Sequence, residues 1–211
     1  MAGVRPPVNF HKARLAIHTV RPGERFGRIY GERFPDPLGF GKTPSRFSDP
    51  RRRIDANRFG VLYLGDTFKV CFLEAVLRDR RDGAVGALPM REDELQRRRY
   101  ADIEVVAPLK LVDLRADRAV AMGVPTDVHR ASSHRLGQAW SLAFHEHPGG
   151  PDGIVYPSRL NGHTNLAIYD RAIAKLRPVR VRQLIAVPEL ASVLDGLNVE
   201  LVAPDPPDTG V

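Results

Sequence analysis

The chain has 211 residues, a net charge of +7 and a pI of about 10.0, with 43% hydrophobic residues and a single cysteine. No run of 18 or more apolar residues occurs, so a membrane span is not expected, and one cysteine rules out an internal disulfide framework. A cytoplasmic setting follows as the default. The arginine-rich excess of positive charge draws anions such as phosphates, nucleotides, nucleic acid or an acidic partner, without choosing among them.

In chain order, residues 1–13 carry Pro6 and Pro7 and little pattern, and read as an arm. "RLAIHTV" (14–20) has strand character. Residues 28–60 are rich in Gly, Pro, Asp and Arg, which is too polar for a core element; a connection of that length is usually functional or disordered. "VLYLG" (61–65) reads as a short buried strand. Asp66 and Thr67 offer N-cap chemistry for a helix over about 67–80, ended by Gly83. "REDELQRRRY" (91–100) can start a second helix, with acids early and bases late.

"DIEVVAPLKLVDL" (102–114) is strand material broken at Pro108, and "HRLGQAWSLAFHEH" (134–147) is helical. "GIVYPS" (153–158) and "NLAIYD" (165–170) read as two strands joined by a polar turn. "RVRQLIAV" (180–187) and "NVELVA" (198–203) suggest further strands around a short helix "PELASVLDG" (188–196), and "PDPPDTGV" (204–211) is a tail. The mixture predicts an α+β fold in one domain over residues 1–211, with mixed or antiparallel strands and no regular βαβ alternation.

The unusual feature is Glu74, inside the apolar run Val70-Cys71-Phe72-Leu73-Glu74-Ala75-Val76-Leu77. A helix apolar almost all round is buried, and a buried carboxylate needs a cation or hydrogen-bond donors. The plain alternative is an i,i+4 pair with Arg78 on a wet face, worth about 0.3–0.5 kcal/mol. Local reading alone also leaves Arg28 and Arg46 as surface charges, Tyr63 as a core aromatic and Ser158 as a turn residue after Pro157. "HEH" (145–147) lacks metalloprotease spacing and reads as a polar helix end. No metal motif, P-loop or G-x-G-x-x-G is present.

Taken in order, "GRIYGERF", "PSRFSDP", "FGVLYLGDTFKVCFLEAV" and "GIVYPSRLNGHTNLAIYD" resemble the RES domain family, over about residues 26–170. The family's two arginines match Arg28 and Arg46, its strand tyrosine Tyr63, its helix glutamate Glu74 and its late serine Ser158. Pro44-Ser45 stands where the family has a glycine pair, and Phe47 where it has tryptophan. The resemblance implies an ADP-ribosyltransferase-like fold. It implies the toxin of a toxin–antitoxin pair that consumes NAD+ as substrate, with an Xre-like antitoxin as partner. The implied chemistry is cleavage of the nicotinamide–ribose bond, with inorganic phosphate as co-substrate or with another acceptor in a glycohydrolase or ADP-ribosyltransferase.

On that reading Glu74, Arg46 and Tyr63 form the catalytic set. Arg28, Arg46, Tyr63 and Ser158 bind substrate, and no metal is needed. Tyr30 and Asn165 are weaker site candidates. The rival is a non-catalytic basic module whose clusters "RDRRDG" (78–83) and "QRRRY" (96–100) touch nucleic acid; without interleaved aromatics they read first as solvated faces. A homo-oligomer stays open.

Overall fold

The computed structural model describes residues 4–51, 57–80 and 83–203. The expected C-terminal tail, the first three residues of the arm, and parts of two arginine-rich stretches (52–56 and 81–82) lie outside the described residues.

The elements run in the order β1 (Ile17–Val20), β2 (Arg25–Gly31), β3 (Val61–Gly65), α1 (Phe68–Phe72), β4 (Leu88–Arg91), α2 (Glu92–Gln96), β5 (Arg98–Val105) and β6 (Leu109–Asp113). They continue with α3 (Arg118–Ala121), α4 (Asp127–Arg130), α5 (Arg135–His145), β7 (Gly153–Pro157), β8 (Thr164–Tyr169), β9 (Leu176–Gln183), α6 (Leu190–Gly196) and β10 (Val199–Val202). An eight-stranded sheet in the order β1-β6-β7-β8-β3-β2-β5-β9 carries the fold, and β10 and β4 form a separate parallel pair. Every neighbour in the large sheet is antiparallel except β6 and β7. This is the mixed α+β class expected from the sequence.

Alternation along the strands sends side chains to two faces. Leu62 and Leu64 of β3, Val155 of β7 and Leu166 and Ile168 of β8 join one core with Ile103 and Leu111. The intervening Val61, Ile154, Tyr156, Ala167 and Tyr169 join a second core built on Trp140 and Phe144 of α5. A third core gathers Phe68, Phe72 and Val76 with Leu95 of α2 and Leu190 and Leu194 of α6. The N-terminal arm is docked. Phe10 meets the Trp140 ring edge-on at 4.9 Å, and Trp140 Nε1 donates to the Val4 carbonyl at 3.0 Å.

Three expectations need correction. Residues 28–31 are not loop: they close the seven-residue strand β2, which pairs with β5 from Arg25↔Glu104 to Gly31↔Arg98. Its glycines and arginine hide it because its partner lies far along the chain. The helix after Thr67 is also shorter than predicted. Thr67 caps it as expected, its hydroxyl accepting from Val70 N at 3.2 Å, but α-helical bonding stops at Phe72. Leu73–Leu77 then form a wider π-turn, closed by Arg78 N donating to Leu73 O at 2.7 Å. Finally, "REDELQRRRY" is helical only over Glu92–Gln96, and Arg98–Tyr100 already belong to β5. His145 does end α5, as expected, but is half-buried. Its ring stacks on Phe59 at 4.2 Å, and burial lowers its pKa to about 4.

One detail of the sheet positions the site. β2 and β3 are neighbours, yet they share only one register pair, Gly27↔Gly65. On the same edge of β3, at its other end, Val61 bridges to Gly41 in the loop that follows β2. That edge of β3, its seam with β2, is therefore held at its two ends, Val61 and Gly65, with no register pair between them.

Candidate active site

The glycine pair lets α1 lie directly on the seam. A Cβ on Gly65 would fall 2.5 Å from Val70 Cγ1 and 2.8 Å from Cys71 Sγ. One on Gly27 would fall 2.6 Å from Tyr100 Oη and 2.9 Å from Cys71 Sγ. Absence of side chains at both positions is what admits the helix. Cys71 fills that contact as a buried thiol, its pKa pushed up to about 12 by burial. One turn further on, Glu74 emerges into a cleft of about 430 Å³.

The cleft brings together four of the five principal candidates: Arg28, Arg46, Tyr63 and Glu74 all line it. The fifth, Ser158, is buried behind Glu74. Its hydroxyl donates to Glu74 Oε1 at 2.8 Å and accepts from Leu160 N at 3.1 Å. Asn165 Nδ2 donates to the same carboxylate oxygen at 2.8 Å. The carboxylate is thus oriented by two neutral donors, and Asn165 belongs in the site although its sequence context is weak. Sheet register explains its presence: Asn165 faces Gly65 on one side and Tyr156 on the other. The alternative i,i+4 pair does not form, since Arg78 Nε donates to the Glu74 backbone carbonyl at 2.9 Å instead.

Arg46 sits on a loop gripped from both sides. The Tyr63 hydroxyl accepts from Phe47 N at 2.9 Å and lies 2.9 Å from Ser45 Oγ, so it brackets Arg46 in sequence. From α5, Gln138 Nε2 donates to Ser45 O at 2.9 Å and Ser141 Oγ to Phe47 O at 2.7 Å. Gly137 permits that closeness, since a Cβ there would meet Arg46 O at 2.6 Å. Phe47, in the place of the expected tryptophan, is fully buried and packs edge-on against Tyr156 at 4.9 Å. Asp49 completes the loop, buried and ion-paired with Arg51 at 2.6 Å.

Arg28 donates to Pro37 O and lies 5.4 Å from the Tyr30 ring centroid. Burial brings its pKa down to about 10, so it remains charged near neutral pH. Burial also lowers Arg46, with Arg159 nearby pushing the same way and Tyr156 and Glu74 opposing. Burial raises the phenols of Tyr63 and Tyr156, which stay protonated. Arg46 Nη1 donates to Ala131 O at 2.6 Å.

The structure adds Arg78, Arg159 and Tyr156 to the lining. Tyr156 and Arg159 flank Pro157-Ser158 in the sequence, but nothing local distinguishes them from turn and strand residues. Such a cleft, cationic along its walls and carrying one oriented carboxylate, suits an anionic substrate on which positive charge develops during reaction.

In the arginine clusters considered for nucleic acid, Arg80 pairs with Glu94 at 2.8 Å, Arg97 with Asp93 at 2.7 Å and Arg99 with Glu32 at 3.9 Å. Among the described residues, no three His, Cys, Asp or Glu side chains come together as a metal site, and no helix is long and apolar enough to cross a membrane.

Known proteins share the fold and the family. A chain of the solved M. tuberculosis MbcT–MbcA toxin–antitoxin complex matches with a TM-score of 0.59 at 20% identity, covering 85% of this chain and 91% of that one, a likeness of fold. The protein named "Probable toxin y4kH" from Sinorhizobium fredii is 43% identical over 127 residues, which is 60% of this chain and all of that protein. The family model described as the RES domain matches residues 23–190, a span that holds Arg28, Arg46, Tyr63, Glu74, Ser158 and Asn165 together. The chain belongs to the RES domain family.

Proposed function

We propose that this protein is an NAD+-degrading toxin of a toxin–antitoxin pair, which cleaves the nicotinamide–ribose bond and passes the ADP-ribosyl group to inorganic phosphate. The observation that carries the reading is the Glu74 carboxylate, held by Ser158 and Asn165 in an arginine-lined cleft. The relative named as a toxin and the fold shared with a toxin–antitoxin complex support the biological setting.

In this mechanism the bond from the ribose anomeric carbon to the nicotinamide nitrogen breaks, and its electron pair leaves with neutral nicotinamide. Positive charge grows on the sugar, as in glycoside cleavage. Glu74 stabilises that charge or holds a ribose hydroxyl. Nicotinamide is a good leaving group, so one carboxylate suffices and no acid partner is required. Arg28 and Arg46 bind the diphosphate through their guanidinium forks. A phosphate oxygen then bonds to the anomeric carbon and gives ADP-ribose 1″-phosphate. Further guanidinium charge from Arg78 supports the second anion. Tyr63 lines the cleft, while its hydroxyl holds the Arg46 loop.

The test is purified protein with NAD+, with and without phosphate, followed by product separation. Phosphate-dependent nicotinamide release is the expected result. Release without phosphate replaces the acceptor by water or a macromolecule and keeps the bond cleavage. No release from folded protein refutes the NAD+ reading.

A further inference from the structure

Arg159 stands apart from the other arginines of the cleft. Arg28, Arg46 and Arg78 each hydrogen-bond to a backbone carbonyl, of Pro37, Ala131 and Glu74. A carbonyl fixes a guanidinium without cancelling its charge. The Arg159 guanidinium instead forms an ion pair with Asp79 across 80 positions of sequence. Both residues line the cleft.

The two anchors of this pair are well placed for exchange. Arg159 follows Ser158 directly, in the β7–β8 turn that Ser158 ties to Glu74. Asp79 follows Arg78, where the chain leaves the π-turn at φ +45°, a backbone angle rare outside glycine. The Asp79 side chain is 61% exposed and that of Arg159 30% exposed, so water and salt screen the pair and its net worth is small. Arg159 is also close enough to Arg46 to disfavour charge there. Two guanidinium groups that repel each other in the free protein form a pair that a shared anion can bridge.

We propose that Arg159 is a further ligand for the substrate's diphosphate, held in reserve by Asp79 and released to a nucleoside diphosphate group when one enters the cleft. The carboxylate of Asp79 then turns to solvent, and no covalent step is involved. This proposal rests on the reading of the cleft as an NAD+ site and deepens it: Asp79 competes with substrate for one arginine and so sets affinity.

The pair makes predictions of opposite sign. ADP-ribose, which carries the diphosphate without nicotinamide, is titrated calorimetrically into wild type, Arg159→Gln, Asp79→Asn and the double variant at fixed salt. Arg159→Gln weakens binding about 10-fold or more, as loss of a charge-assisted contact does. Asp79→Asn tightens it about 2–5-fold, the range of an exposed ion pair. The double variant binds like Arg159→Gln alone. KM for NAD+ shifts in the same directions. Weakening by both single variants would make the pair a structural clasp and overturn the proposal, as would no change in either. Tightening by Asp79→Asn in the Arg159→Gln background would reduce the effect to overall charge and overturn it too. Wild type that binds ADP-ribose but releases no nicotinamide refutes the catalytic reading while the role of Arg159 is still decided. Wild type that does neither refutes both.

Discussion

Tyr63→Phe separates the two jobs a tyrosine can do in this cleft. The substitution keeps the ring and deletes one oxygen. That oxygen accepts from Phe47 N and bonds to Ser45 Oγ, both at 2.9 Å, and Phe47 is fully buried. Ser45 can turn its hydroxyl elsewhere, but the Phe47 N–H is left without a partner, at about 1–3 kcal/mol. For a chain of this length each kcal/mol moves Tm by about 2–4 °C, so a fall of about 2–12 °C is expected. The loop bracketed by those bonds carries Arg46, and KM for NAD+ rises by roughly 10-fold, the weight of one charge-assisted contact. Tyr63→Leu, which removes the ring as well, loses more on both counts. Thermal unfolding and nicotinamide-release kinetics on the three proteins test this. A Tyr63→Phe protein with native Tm and abolished turnover would show the hydroxyl acting on substrate. Native behaviour in both assays would show that Gln138 and Ser141 hold the loop unaided. Either result refutes the bracketing argument.

Glu74→Gln keeps an acceptor for Ser158 and Asn165 but loses the charge, so nicotinamide release falls about 10²–10³-fold with the fold preserved; wild-type-like turnover would remove Glu74 from the chemistry. Ser158→Ala and Asn165→Leu each delete one 2.8 Å donor to Glu74 Oε1, and each lowers kcat/KM about 10–100-fold, with the double variant close to Glu74→Gln; kinetics equal to wild type would mean the carboxylate needs no orientation. Gly65→Ala forces a Cβ against Val70 and Cys71 and costs about 1–3 kcal/mol by urea unfolding; an unchanged midpoint would show that α1 can shift off the seam. His129 is buried with both ring nitrogens unpartnered, and burial, helped by Arg130 and Arg46, lowers its pKa to about 4. The unfolded chain takes up that proton near pH 6.5 while the folded one resists until about 4, so stability is full above about pH 6.5 and declines on acidification. The loss is ~2 kcal/mol at pH 5 from this residue. Urea midpoints equal at pH 7 and 5 would contradict it.

Local chemistry was legible where the structure is made locally. "VLYLG" has the β-branched and aromatic content of a short buried strand, Thr67 caps the following helix, and Pro108 breaks β5 from β6. What needed distant partners was not. β2 reads as a polar loop until Arg28 is seen opposite Ala101. Gly27 and Gly65 look like punctuation until α1 lies across both. β9 begins at Leu176, earlier than its apolar pattern suggests, because on the sheet edge its side chains stay largely exposed. Arg28, Arg46, Tyr63 and Glu74 were found as an ordered set, and they converge on one cleft. Asn165 and Arg159 depend on register and on a contact across 80 residues, which no spacing rule encodes. The π-turn after Phe72 is likewise silent in "LEAVL", since a single wide turn leaves the apolar pattern intact.

The charge of the chain is divided between two uses. On the surface, guanidinium groups are matched with carboxylates: Glu104 takes both Arg25 and Arg177, Asp93 takes Arg97 and Asp102 takes Arg182. In the cleft, Arg28, Arg46 and Arg78 are fixed by neutral carbonyls. The first arrangement removes net charge and the second preserves it. Burial works against the cleft cations, as the lowered pKa values of Arg28 and Arg46 show, so the free protein holds them at a cost. An anion entering the cleft relieves that cost, and the donors need no rearrangement to meet it, which is the condition for electrostatic preorganisation. The same reasoning explains the neutral supports of Glu74. Ser158 and Asn165 orient its carboxylate without offsetting it, so that in the proposed reaction its negative charge is left for the sugar that becomes positive as nicotinamide departs.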